Sequence, residues 1–216
     1  RRCTSTLFDD NRFSYAKSRA DIKVYKMKKL IIIILMLNSI SSIGQVIKTD
    51  IFTVEYDQQR QQPLWVEYTV LCPNGDASRE GMNFWEPDMI ITSDDEDYRD
   101  NIYDKGHLAP AAAFSCNPGM LYKTFSYLNS ALQHQGLNRG QWSKLESFER
   151  AAANFFNEDV IVRVDVLFEG EEIVLPTGAT IPSGFRKTIT IGDKTRVFEF
   201  PNIDTKGTKW IDYIIK

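Results

Sequence analysis

The sequence predicts an α+β fold, one mixed domain built around a central antiparallel sheet. Three observations carry this. Stretches rich in β-branched and aromatic residues come before and after a single long helical stretch instead of alternating with helices, which argues against a βαβ series. The 216 residues, 43% hydrophobic and 12% aromatic, are enough for one substantial core. Internal repeats and low-complexity linkers that would divide the chain are absent from it.

In chain order, Pro63-Leu64-Trp65-Val66-Glu67-Tyr68-Thr69-Val70-Leu71 reads as a strand, ended by the turn signal Cys72-Pro73-Asn74-Gly75-Asp76. Residues 94–100 form an acidic run that reads as a solvated loop; they lack the ligand-and-glycine spacing of a calcium loop. From Asn138 to about Phe156 the period becomes helical, with Leu145, Phe148, Ala152 and Phe155 three or four residues apart. Residues 160–168, 185–191 and 195–200 return to strand character.

The N-terminal region reads differently. Met27-Lys28-Lys29 precedes the apolar run 30–37, and Ser-rich small residues follow to Gln45. A charged start, a short apolar middle and a small-residue exit predict a secretory signal peptide over 27–45 and a secreted or periplasmic protein. Residues 1–26 then read as an upstream extension that is untranslated or non-native, and residues 46–216 as the domain proper. No run reaches the roughly 18 apolar residues of a membrane span, so no stable membrane association is expected. With Cys3 outside the domain, Cys72 and Cys116 remain as a pair, open to a disulfide or to two free thiols.

Charge excludes a general nucleic-acid binder. The whole chain has 26 Lys+Arg and 29 Asp+Glu, but residues 46–216 carry 17 against 26, a balance of −9. A nucleic-acid function needs a local patch and a metal ion, and Lys105, Lys123, Arg139, Lys144 and Arg150 around the motifs are its candidate cations.

Two segments carry chemistry. His107, one of two histidines, follows Gly106 in what reads as a tight turn, where imidazole is a candidate general base; Lys105 beside it offers a charge for phosphate, and Asp104 could orient the loop. Asn138 falls where the helical period starts, as an N-cap or as an amide-oxygen ligand for a hard ion such as Mg²⁺. Glu146 and Arg150 are spaced to pair on one helix face. About 12 Å of helical rise separates Glu146 from Asn138, so a contact through water is the more reasonable one.

The segments Asp104-Lys105-Gly106-His107-Leu108-Ala109-Pro110-Ala111, Tyr127-Leu128-Asn129, Leu137-Asn138-Arg139-Gly140-Gln141-Trp142 and Leu145-Glu146 resemble the DNA/RNA non-specific endonuclease family. Pro63-Leu64-Trp65-Val66, Ile181-Pro182-Ser183-Gly184-Phe185 and Phe200-Pro201-Asn202 extend the resemblance over nearly all of 46–216. That family has a ββα-metal finger and includes secreted bacterial nucleases and endonuclease G. The resemblance implies His107 as base, Asn138 as the Mg²⁺ ligand with Mn²⁺ able to stand in, and Asn129, Glu146, Arg150 and Lys105 in support. It implies DNA and RNA as substrates and 5′-phosphate ends, and leaves homodimer formation and an inhibitor partner open. The chain departs from the family twice. Lysine stands at 105 in place of the usual arginine, and Met82 stands where a further arginine is expected, with Arg79 a substitute from three residues upstream. Those departures and the acidic balance keep a catalytically weak nucleic-acid-binding module in view as a rival, and the acidic surface keeps a phosphodiesterase for small nucleotides as another.

Overall fold

A computed structural model describes residues 44–156 and 158–216. The signal-peptide reading of 27–45 and the upstream extension 1–26 therefore fall almost wholly outside the described residues. Among those described, no helix is long and apolar enough to cross a membrane.

The core is a six-stranded, fully antiparallel sheet of β1 (Gln45–Lys48), β2 (Phe52–Asp57), β3 (Gln62–Thr69), β6 (Val160–Leu167), β9 (Gly184–Ile191) and β10 (Lys194–Pro201), in that spatial order. The mixed fold with a large antiparallel sheet is the one expected. The β6 sequence shows why the sheet has one dry face. Val160, Val162, Val164 and Val166 are buried, while Ile161, Arg163, Asp165 and Leu167 between them face outward, the period-two pattern of a half-buried strand. On the outer face the Arg163 guanidinium lies 4.1 Å from the Trp65 ring centre.

Helix α3 (Ser143–Phe156) covers the inner face with Leu145, Glu149 and Ala152. This shifts the expected apolar stripe by part of a turn. Phe148 lies at the rim, stacked on Trp210 with ring centres 5.1 Å apart, and Phe155 is 80% exposed. The inward position between Leu145 and Ala152 belongs instead to a carboxylate. Glu149 accepts from Lys187 Nζ at 2.8 Å and from the Tyr68 hydroxyl at 2.6 Å, with all three buried. Lys187 Nζ also sits 3.9 Å from the Trp142 ring centre. An ion pair this deep is tolerated only because both charges are matched and hydrogen-bonded.

A separate two-stranded ribbon, β4 (Tyr103–His107) and β5 (Ser130–His134), precedes α3. The ribbon and helix together form a ββα unit. His107 thus ends a strand, whereas a tight turn was expected. Gly106 has a packing reason: a Cβ there would lie 2.5 Å from Cβ of Gln133 on the facing strand. The acidic run is also more structured than a solvated loop. Asp97 is buried and accepts from the Asp94 backbone N–H and the Thr177 hydroxyl. Short α1 (Pro118–Lys123), capped by Asn117, α2 (Gln135–Leu137) and the hairpin β7 (Ile173–Val174)–β8 (Thr180–Ile181) complete the described α-helices and strands.

Candidate active site

The ββα unit opens onto a cleft of about 820 Å³ whose lining includes Arg79, His107, Asn138, Arg139, Glu146 and Arg150. Its near wall is the segment 75–79, and its floor takes in residues 110–112 and Ser115. The Cys72–Cys116 disulfide, with Cα atoms 5.4 Å apart, ties these two walls together, so the pair left open from sequence is bonded. Backbone bonds from Cys72 to Ala113 and from Ala77 to Ser115 reinforce the tie.

His107 stands between the rings of Phe84 and Phe125, each centre 4.9 Å from the imidazole centre. Its Nε2 is buried without a hydrogen-bond partner. Burial, helped by the positive charge of Arg79, lowers its pKa to about 4, so the imidazole is neutral at neutral pH with one ring nitrogen as an acceptor, and the same burial weakens it as a base. The loop after it is pinned by Asn129, fully buried, whose Oδ1 accepts from Ala109 N–H at 2.8 Å. Its Nδ2 donates to the carbonyls of Ala109 and Thr124. Asn129 therefore lies outside the cleft lining and holds the backbone that presents His107.

Asn138 is not a helix N-cap. It follows α2 with helical angles and opens the wide π turn Asn138–Trp142 that leads into α3, while the cap of α2 is His134. The physical reason is the break at Gly140, whose φ of −100° and ψ of −112° divide the expected continuous helix. Asp104 on β4 fixes the Asn138 amide by accepting from Nδ2 at 2.9 Å, which leaves Oδ1 as the acceptor available to a ligand. The same carboxylate takes Arg139 through two bonds, Nε at 2.8 Å and Nη2 at 2.6 Å.

Glu146 faces the cleft from the first turn of α3, with its pKa raised to about 7. Burial is the main cause; Lys187 and Arg150 pull it down and Glu149 pushes it up. The expected Glu146–Arg150 pair is replaced by another arrangement. Arg150 donates to the backbone carbonyl of Glu146 and to the Ser147 hydroxyl, both at 3.1 Å.

Lys105 takes a place apart from the cleft lining. Its ammonium is paired with Asp95 and ringed by Phe84, Tyr98 and Tyr127, with centres 5.4 to 5.8 Å away. Met82 packs in a small cluster with Ala111, Leu121 and Phe125, whereas Arg79 reaches the cleft. Sequence reasoning missed the Glu149–Lys187–Tyr68 cluster behind Glu146. The one available signal was a charged residue at a helix position that the three-and-four spacing marks as inward.

Among the described residues no group of three or more His, Cys, Asp or Glu side chains could cage a metal. The donor set still fits a hard ion of the magnesium type, which keeps most of its waters and takes one or two protein oxygens. Asn138 Oδ1 is such an oxygen, and Glu146 shares its cleft.

The sequence profile of the DNA/RNA non-specific endonucleases matches residues 35–214. This chain belongs to that family. Its similarity to mitochondrial endonuclease G is 32% identity over 119 residues for the Bos taurus protein, which is 52% of this chain and 39% of that one. For the Homo sapiens protein it is 30% over 132 residues, 58% of this chain and 44% of that one. Mitochondrial nuclease EXOG of Danio rerio is 29% identical over 115 residues, 50% of this chain and 33% of that one. The chain thus spans less than half the length of these relatives. A solved EndoG/EndoGI complex, described as showing the mechanism of EndoG inhibition, matches with a TM-score of 0.69 and 22% identity over 80% of each chain, which establishes the fold. The expectation of a secreted or periplasmic protein is corrected by these relatives, which are mitochondrial nucleases.

Proposed function

We propose that this chain is a metal-dependent endonuclease that hydrolyses phosphodiester bonds of DNA and RNA without sequence specificity. One observation carries the reading: a neutral imidazole and an amide oxygen oriented by a carboxylate share one cleft with three arginines. Family membership supports it.

In this reading the phosphodiester lies in the cleft with its oxygens against Arg79 and Arg150. His107 takes the proton of the attacking water, which a neutral imidazole held by no carboxylate can do without first losing its own proton. Asp104 fixes the face that Asn138 turns to the cleft, where Asn138 Oδ1 would hold the metal with Glu146 in support. A bound Mg²⁺, or Mn²⁺ in its place, would supply charge neutralisation to the phosphate and to the departing 3′-oxygen. Departure of that oxygen leaves 5′-phosphate ends. Arg139, already committed to Asp104 through two nitrogens, orients the carboxylate and retains Nη1 for substrate.

The test is digestion of plasmid DNA and of RNA with Mg²⁺ and with EDTA. Cleavage of both polymers that EDTA abolishes is the expected result. Binding without cleavage would leave only a nucleic-acid-binding module, and cleavage of small nucleotides alone would leave a phosphodiesterase.

A further inference from the structure

Arg139 lines a second pocket as well as the cleft. This neighbour, about 460 Å³, is bounded by His134, Arg139 and Gln141 on one side and by Asp204, Thr205 and Lys206 on the other. Its walls are in close contact. A Cβ on Gly136 would clash with Asp204 Oδ1, one on Gly140 would lie 3.0 Å from Thr205 Oγ1, and the Thr205 hydroxyl donates to the Gly136 carbonyl. The loop 203–206 is thereby locked onto the π turn that begins with Asn138.

The polar groups in this pocket are complementary to a nucleotide. His134 Nδ1 accepts from the Gly136 N–H, which leaves Nε2 as the ring's donor. Lys206 is exposed and makes no ion pair among the described residues, and Arg139 has Nη1 left over from Asp104. These three donors suit one phosphate. Asp204 opposes them in charge, yet one of its carboxylate oxygens is turned to the Lys206 backbone N–H. Gln141 is only 5% exposed and its Oε1 has no partner. A buried acceptor left unpaired is costly, and it calls for a donor of the kind found on a base edge or a sugar hydroxyl.

We propose that this pocket is a nucleotide subsite next to the scissile one. It takes the neighbouring backbone phosphate on His134, Lys206 and Arg139, and a base or sugar donor on Gln141. The proposal rests on the endonuclease reading for the direction of the strand, but binding there does not require cleavage. It gives an acidic protein a second phosphate contact beside the reacting one, where a local contact is needed most.

The experiment compares kcat/KM on a single-stranded DNA decamer with that on bis(p-nitrophenyl) phosphate, which has one phosphodiester and cannot reach both pockets. Lys206→Glu should lower the decamer-to-small-substrate ratio at least five-fold, through KM. Asp204→Asn, which keeps the oxygen that accepts from Lys206, should raise it. Lys194→Glu makes the same charge change at the β9–β10 turn and should move the ratio less than two-fold. Equal falls for Lys206→Glu and Lys194→Glu would reduce the effect to bulk charge and overturn the subsite. Anisotropy with a phosphorothioate decamer in EDTA separates the two readings. A protein that cuts nothing but loses affinity at least five-fold on Lys206→Glu keeps the subsite and loses the nuclease. Unchanged affinity overturns the subsite.

Discussion

The aromatic walls around His107 govern what its removal does. His107→Ala should lower turnover by roughly a hundred- to ten-thousand-fold, the usual cost of a lost general base. It should also lower the melting temperature, because the imidazole packs between Phe84 and Phe125. Steady-state rates measured well below that melting temperature decide the matter, and retention of more than a tenth of wild-type activity would refute the assignment. Asn138 makes the opposite demand. Since it caps no helix, Asn138→Ser has no cap to rescue and should be as inactive as Asn138→Ala. Calorimetric titration of Mg²⁺ should show weaker binding in both variants; near-normal turnover in serine would leave Asn138 without a metal role. That both residues line one cleft was legible in the sequence because motif spacing marks them. The positions of Lys105 and Arg79 were not, since which of two nearby cations reaches a cleft depends on the rings and carboxylates that surround each.

Helix α3 shows how far periodicity reaches. Its existence and its end near Phe156 followed from the apolar spacing, but its start moved to Ser143 and its inward face turned to include Glu149. No helical pattern in one segment reports that a lysine on β9 and a tyrosine on β3 will meet it. Burial beside that cluster has a measurable effect on Glu146, against the downward pull of Lys187. A carboxyl whose pKa rises from 4.5 to about 7 on folding binds its proton more tightly in the folded state. Its stabilising effect is complete below pH 4.5, falls between pH 4.5 and 7, and stays lost above. Glu146→Gln keeps the neutral form at every pH. The variant should therefore match wild type near pH 4 and exceed it by about 1 to 3 kcal/mol at pH 8, since each pKa unit is worth about 1.4 kcal/mol. Urea unfolding at the two pH values measures this, and a gap independent of pH would contradict the raised pKa.

Across the whole molecule, sheet content was readable where strands alternate or run apolar, as in β3, β6, β9 and β10. It was not read in β4 and β5, where site residues interrupt the pattern, in the four-residue β1, which pairs only with β2, or in β2, although Phe52, Val54 and Tyr56 alternate there with polar residues. The acidic balance survives scrutiny in three dimensions. Lys105 and Lys123 are paired with Asp95 and Asp50, and Arg139 with Asp104, so Arg79, Lys144, Arg150 and Lys206 remain as cations without an ion pair among the described residues near the site. So few phosphate contacts predict a shallow salt dependence, a log–log slope of cleavage efficiency of about −2 to −4. Initial rates at limiting DNA across a salt series, with Mg²⁺ constant, give the slope. A value steeper than about −6 would require an extended basic track.

Cys72 and Cys116 close a covalent ring that contains Arg79 and His107 but leaves out Asn138, Glu146 and Arg150. The ring includes β4, whose partner β5 lies outside it. A single peptide cut within the ring thus opens a loop without releasing a fragment. Trypsin at the exposed Arg99 should give a nicked protein that runs as one species until reductant is added and then as two. While the bridge is intact, the base and the metal-side residues stay on one molecule, held by the ribbon that joins them, and the nicked protein should still cut DNA. Inactivation by the nick alone would show that continuity of the chain at Arg99, and not the crosslink, keeps the two halves of the cleft in register.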